Sequence, residues 1–114
     1  MANTFKNAIK SNVTTTGSNY DTLYTAPSSS GNTAIILGLA LANKTTSAVT
    51  VKVQIVDAAP SATIQLLEDV SIPANTTLEV LGGQKYVLEA GDILKVQAGT
   101  GTAIDAFLGV MERT

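Results

Sequence analysis

The stretch Ala48-Val49-Thr50-Val51-Lys52-Val53-Gln54-Ile55-Val56-Asp57 decides the fold class. Val49, Val51, Val53 and Ile55 point one way; Thr50, Lys52 and Gln54 point the other. A period of two belongs to a strand with one buried face. Its β-branched residues suit a pleated surface. The preceding stretch, Thr33–Asn43, is apolar on both faces. Ile35, Leu37, Leu39 and Leu41 form a bulky side, and Ala34, Gly38, Ala40 and Ala42 a small one, with Ile36 the exception. Such a strand is covered twice. The second cover is a neighbouring subunit, whose backbone the small residues would admit, or a loop or arm of the same chain. Asn43-Lys44-Thr45-Thr46-Ser47 is short and polar, and it predicts an antiparallel hairpin between the two strands.

Working outward, strands are expected at Ala62–Glu68, Thr77–Leu81, Lys85–Leu88, Ile93–Gln97 and Ala103–Glu112, with a weaker one at Tyr20–Thr25. The turns between them are Pro73-Ala74-Asn75, Gly82-Gly83, Glu89-Ala90-Gly91-Asp92 and Gly99-Thr100-Gly101. In the last strand Ile104, Ala106, Leu108 and Val110 share a face, while Asp105 lies with Phe107 and Met111 on the other. About seven or eight short strands with turns between them predict an all-β, antiparallel, jelly-roll-like sandwich. Residues 1–19 read as an N-terminal arm and loop, and 20–114 as one sandwich domain. Asn3–Lys10 is the one helix candidate, because Phe5 and Ile9 are four apart and Ala8 joins them. Eight residues are too few for a stable isolated helix, so the segment reads as an arm ordered by docking.

Composition limits function. The chain has 114 residues, 45% apolar and only 14% charged, with a net charge of -2. It has no Cys, His or Trp, and Arg113 is its one arginine. This removes disulfides, thiolate chemistry, the Ser-His-Asp triad and the commonest zinc ligands. A nucleic-acid partner would require a basic face, and none is expected. The longest apolar stretch, Ala34–Ala42, is far short of the about 20 residues of a spanning helix, so no membrane partner is expected. The opening lacks the apolar core of a secretory signal.

Candidate chemistry is sparse. Glu68 and Asp69 are adjacent, and a regular strand would point them to opposite faces. No carboxylate pair stands out as an acid/base pair. The EF-hand calcium spacing is absent, as is a phosphate loop at Gly82-Gly83-Gln84-Lys85, and no cofactor is expected. Asn12-Val13-Thr14, Asn43-Lys44-Thr45 and Asn75-Thr76-Thr77 match the glycosylation sequon by chance in a Thr-rich chain. Tyr20, Tyr24 and Tyr86 would be the residues of a sugar-stacking platform, with Tyr20 and Tyr24 on one strand face. Packing at the edge of the core is the plainer reading.

Four stretches carry a family resemblance: the opening Met1-Ala2-Asn3-Thr4-Phe5-Lys6-Asn7; Leu23-Tyr24-Thr25-Ala26-Pro27; Ile36-Leu37-Gly38-Leu39-Ala40-Leu41-Ala42-Asn43 running into Ala48-Val49-Thr50-Val51; and Ile72-Pro73-Ala74-Asn75 leading to Lys85-Tyr86-Val87-Leu88-Glu89-Ala90-Gly91-Asp92. In these the chain resembles short structural proteins of tailed bacteriophages, particularly phages of marine and cyanobacterial hosts. The resemblance implies a non-enzymatic virion protein and no catalytic residues. A capsid decoration (cement) protein is the first expectation. A neck, tail or baseplate component, or a carbohydrate-binding module on a host-recognition fibre, are the alternatives. The expected partners are the major capsid protein or neck and tail proteins, together with further copies of the chain. Interface candidates are Phe5, Ile9, Ile36, Gly38, Ala40, Ala42, Asp105 and Phe107.

Overall fold

A computed structural model describes residues 3–15, 20–58, 62–82 and 84–114. Nine strands follow in chain order: β1 (Asn3–Lys10), β2 (Asp21–Thr25), β3 (Thr33–Asn43), β4 (Val49–Asp57), β5 (Ala62–Ile72), β6 (Thr77–Glu79), β7 (Tyr86–Glu89), β8 (Ile93–Ala98) and β9 (Ile104–Arg113). No helix occurs among the described residues. Gly83 and much of the 14–19 loop lie outside them.

The strands form two antiparallel sheets, ordered β1-β9-β3-β6 and β2-β8-β4-β5, with β7 also on β3. β6 pairs with Ala40–Ala42 and β7 with Thr33–Ile36, so the two act as one interrupted edge strand. Counted that way, the order is that of an eight-stranded jelly roll, as the turn spacing predicts. The core lies between the sheets. Ile36, Leu39, Leu41, Ile104 and Leu108 of the first sheet meet Val51, Val53, Leu94 and Val96 of the second, all at most 1% exposed.

Three expectations are corrected. First, β3 and β4 are not a hairpin: β3 pairs within the first sheet and β4 within the second. A short polar connection serves a turn within a sheet or a crossing between sheets equally well. Here the crossing wins because the apolar sides of both strands face one core. Asn43, 3% exposed, holds the corner. Its Nδ2 donates to the carbonyls of Ser47 (2.8 Å), Ile72 (3.0 Å) and Pro73 (3.3 Å). Its Oδ1 accepts from Thr45 N–H (2.9 Å) and Thr45 Oγ1 (2.8 Å). Such burial leaves no room for a glycan at the second sequon.

Second, Asn3–Lys10 is a strand and not a helix, docked on its own chain. It pairs along all eight residues with β9, from Asn3↔Arg113 to Lys10↔Ala106. A spacing of four is even, so Phe5 and Ile9 share a face in a strand as well as in a helix. Third, the alternation in β3 changes phase at an irregularity between Ile36 and Gly38. Ala34 and Ile36 therefore face the core, and Leu37 is turned out. Ile36, at 1% exposure, is a core residue and not an interface candidate.

A similar irregularity affects Glu68 and Asp69. Asp69 has φ 53° where the β4–β5 register slips. Both carboxylates consequently reach one cation: Lys52 Nζ contacts Glu68 Oε2 and lies 3.0 Å from Asp69 Oδ1. The Gly91-Asp92 turn behaves as its residues suggest. Gly91 takes φ 82°, and Asp92 accepts from Ala58 N–H (3.0 Å) and Glu89 N–H (2.9 Å).

Candidate functional site: the outer face of the first sheet

The two outer faces differ in chemistry. On the second sheet, Lys52 is ion-paired and Gln54 Nε2 donates to Gln65 Oε1 at 3.0 Å. On the first sheet, strand register places Phe5, Asn7 and Ile9 of β1 beside Met111, Gly109 and Phe107 of β9. The same positions of β9 face Ile35, Gly38 and Ala40 of β3, and Asp105 faces Ala42. Val87 of β7 lies opposite Ile35. Phe5 (72%), Ile9 (71%), Val87 (62%), Phe107 (51%) and Leu37 (42%) are all exposed. Three strands with about ten residues each span roughly 33 Å by 14 Å, on the order of 450 Å². Exposed apolar side chains gathered on one face of a small domain often mark an interaction surface.

Gly38 and Gly109 stand opposite each other in the floor of this face. Neither has a positive φ, and a Cβ on either would meet nothing within 4 Å. Glycine in a strand costs up to about 1 kcal/mol, and it suits places where another backbone comes close. The notch they leave is flanked by Phe5 on β1, Phe107 on β9 and Leu37 on β3. The structure thus brings every interface candidate except Ile36 onto one face.

Asp105 closes one end of the face. Its Oδ1 accepts from Asn12 N–H (3.0 Å) and pairs with Lys44 Nζ (3.0 Å). Burial works against its charge, but Asn12 and Lys44 overcome this and hold the carboxyl below the usual range. Near the opposite end, Glu112 turns inward and is 6% exposed. It accepts from the Tyr24 hydroxyl at 2.5 Å and pairs with Lys6 Nζ at 3.0 Å, tying β1, β2 and β9 together.

This network makes stability depend on pH at both extremes. The Tyr24 hydrogen bond, opposed by burial and helped by Lys6, holds Glu112 below its ordinary 4.5. Its stabilisation is complete above that value and is lost as pH falls through the lower folded value. Burial first, then Glu112, pushes the Tyr24 hydroxyl above its ordinary 10.0. That contribution is complete below 10.0 and is lost as pH rises. Thermal unfolding across pH should therefore show a plateau with a fall on each side. Glu112→Gln should lower the plateau and flatten the acid limb, leaving the part due to Asp105. An unchanged acid limb would exclude Glu112 as its source.

The tyrosines form no platform. Tyr24 points to Glu112, whereas the Tyr20 hydroxyl accepts from Gln65 Nε2 (3.2 Å) on the outer face of the second sheet. A register irregularity between Thr22 and Tyr24 separates them, so they do not share a face. Tyr86 packs against the core. The carboxylates of Asp57, Glu89 and Asp92 lie within 4.8 Å of one another and could offer oxygen ligands to a metal, but both oxygens of Asp92 already accept backbone N–H groups.

No family model and no curated protein matches the chain. Solved structures are similar to it in fold. A protein of Bacillus endospore appendages, described as a family of disulfide-linked pili, shares 12% identity, with 98% of this chain and 88% of that one covered and a TM-score of 0.53. The Drosophila NLP core, described in terms of pentamer formation and histone binding, shares 9% identity over 96% and 95% of the two chains, with a TM-score of 0.48. The xylan-binding domain CBM22-1 of Paenibacillus barcinonensis Xyn10C shares 10% over 97% and 84%, with a TM-score of 0.42. These neighbours are structural or binding proteins, and at such identities the likeness is one of fold. The chain is an antiparallel β-sandwich of jelly-roll type.

Proposed function

We propose that this chain is a non-enzymatic structural protein of a tailed-phage virion, placed first as a decoration protein on the capsid. The observation that carries the reading is the asymmetry of the two outer faces. One is polar and ion-paired; the other presents Phe5, Ile9, Leu37, Val87 and Phe107 around a glycine floor. A decoration protein stabilises a shell by burying such a surface across subunit boundaries, at about 25 cal/mol per Å². With only 14% charged residues in the chain, docking through this apolar face should depend little on salt. The resemblance in the opening residues, the β3–β4 region and the Leu88–Asp92 turn supports the virion setting. Lack of His and Cys supports a role without catalysis.

The test is the copy number and location of the protein in purified particles, by quantitative mass spectrometry of separated heads and tails. Hundreds of copies with the heads are expected. A few to a few dozen with the tails would replace decoration by a neck, tail or baseplate placement. Absence from particles would overturn the virion reading.

A further inference from the structure

β1 belongs to the sheet but scarcely to the core. Of Asn3–Lys10 only Ala8 is half-buried; the other residues are exposed. The strand is held by its backbone ladder to β9 and by the Lys6–Glu112 ion pair. The chain's commitment to the sandwich begins just beyond it. Val13 is 1% exposed, and its N–H donates to Ile104 O at 2.9 Å. Thr14 N–H donates to Asp21 Oδ2 at 2.7 Å, and Thr14 O accepts from Ala98 N–H at 2.9 Å. Between strand and anchor lies Asn12, in the left-handed region with φ 57°. Asparagine adopts that region more readily than other side-chain-bearing residues, so the chain reverses here within one residue. A poorly buried strand is therefore joined to a fixed core through a short reversal at Asn12, an arrangement in which the strand can pair with another copy as the core stays folded.

We infer that β1 exchanges between copies of this chain, the Asn3–Lys10 strand of one copy lying on β9 of another in the same register. This goes beyond the proposed function, adding a contact between copies of the chain. The occupant of the β9 edge is a second copy's β1 because only that strand repeats what the structure shows. It has the eight-residue register, the outward Phe5 and Ile9, and a lysine, opposite Val110, whose Nζ reaches Glu112. A foreign strand without that lysine would leave Glu112 buried and short of its cation, which is costly. A β9 left bare would expose a long unpaired edge. An identical strand reproduces every contact at little net cost and carries Phe5 and Ile9 onto the neighbour's apolar face.

The cysteine-free chain allows a direct test. Phe5 and Met111 face each other across β1 and β9 on the outer face. The double variant Phe5→Cys/Met111→Cys is concentrated, oxidised and resolved without reductant, alongside sedimentation of the unmodified protein. Mixtures of the two single variants are oxidised in parallel. Exchange predicts linked multimers from the double variant. It also predicts a cross-chain 5–111 product in the mixture, at least severalfold above that from Phe5→Cys mixed with Phe107→Cys. The latter pair is four residues, roughly 13 Å, out of register. Intrachain disulfides alone, in a protein that still sediments as oligomers, would overturn exchange and leave association standing. Monomers at every concentration would overturn both.

Discussion

Asn43→Ala is expected to destabilise the fold by about 3 kcal/mol, lowering the unfolding temperature by roughly 10–15 °C in a domain of this size. The side chain is nearly fully buried and makes five hydrogen bonds, three as donor and two as acceptor. Among the described residues, every buried side-chain polar atom has a partner. Truncation removes the donor shared by Ser47, Ile72 and Pro73, in a corner where the Ile72 bond is itself buried. An unsatisfied buried group costs about 1–3 kcal/mol, more than the net value of the bond it loses. Asn43→Asp separates this cause from lost volume. It is nearly isosteric, but it cannot donate and sets a negative charge against carbonyl oxygens. It should be at least as damaging as the alanine variant. Chemical unfolding of both variants is the measurement, and a near-wild-type Asp variant would show that the corner depends on packing alone.

That residue also shows where the sequence stops being legible. Asn43 reads there as a turn former or a sequon, both local properties. Its partners Ile72 and Pro73 lie about thirty residues away, brought near by the crossing between sheets. Glu112 is the same case: its partner Tyr24 is 88 positions distant, and nothing in the last strand's pattern announces it. Period-two alternation and turn residues, by contrast, are local signals, so most strands and the sandwich class were readable. Strand partners were not, because hairpin and crossing connections share one chemistry.

The candidate face was readable for a related reason. An apolar residue at a position that alternation turns outward is visible without tertiary information, as with Phe107 on β9. Ile36 shows the limit of that logic. One irregularity in β3 moved it inward and Leu37 outward, exchanging their roles. For Phe5 and Ile9 the shared face was legible but the conformation was not, since a spacing of four satisfies both periods.

Phe107→Thr should weaken docking of the protein through this face by about 2 kcal/mol, or roughly thirtyfold. The ring sits centrally, at the edge of the glycine notch and in reach of Phe5, Ile9 and Leu37 across the neighbouring strands. It remains 51% exposed, leaving on the order of 100 Å² of aromatic surface for a partner to cover. Central aromatic residues carry a disproportionate share of interface energy. Threonine keeps β-propensity and adds no charge, so the fold itself should change by less than about 1 kcal/mol. Ile64→Thr is the matched control: Ile64 is 55% exposed but lies on β5 of the other sheet. The measurement is the concentration needed to half-saturate particles assembled without the protein. A shift for Phe107→Thr with none for Ile64→Thr assigns docking to the first sheet. Equal shifts, or none, would remove the basis on which that face was chosen. Because a strand carries its side chains wherever it pairs, the result would hold whether Phe5 and Ile9 on the docked face come from the same copy or from its neighbour.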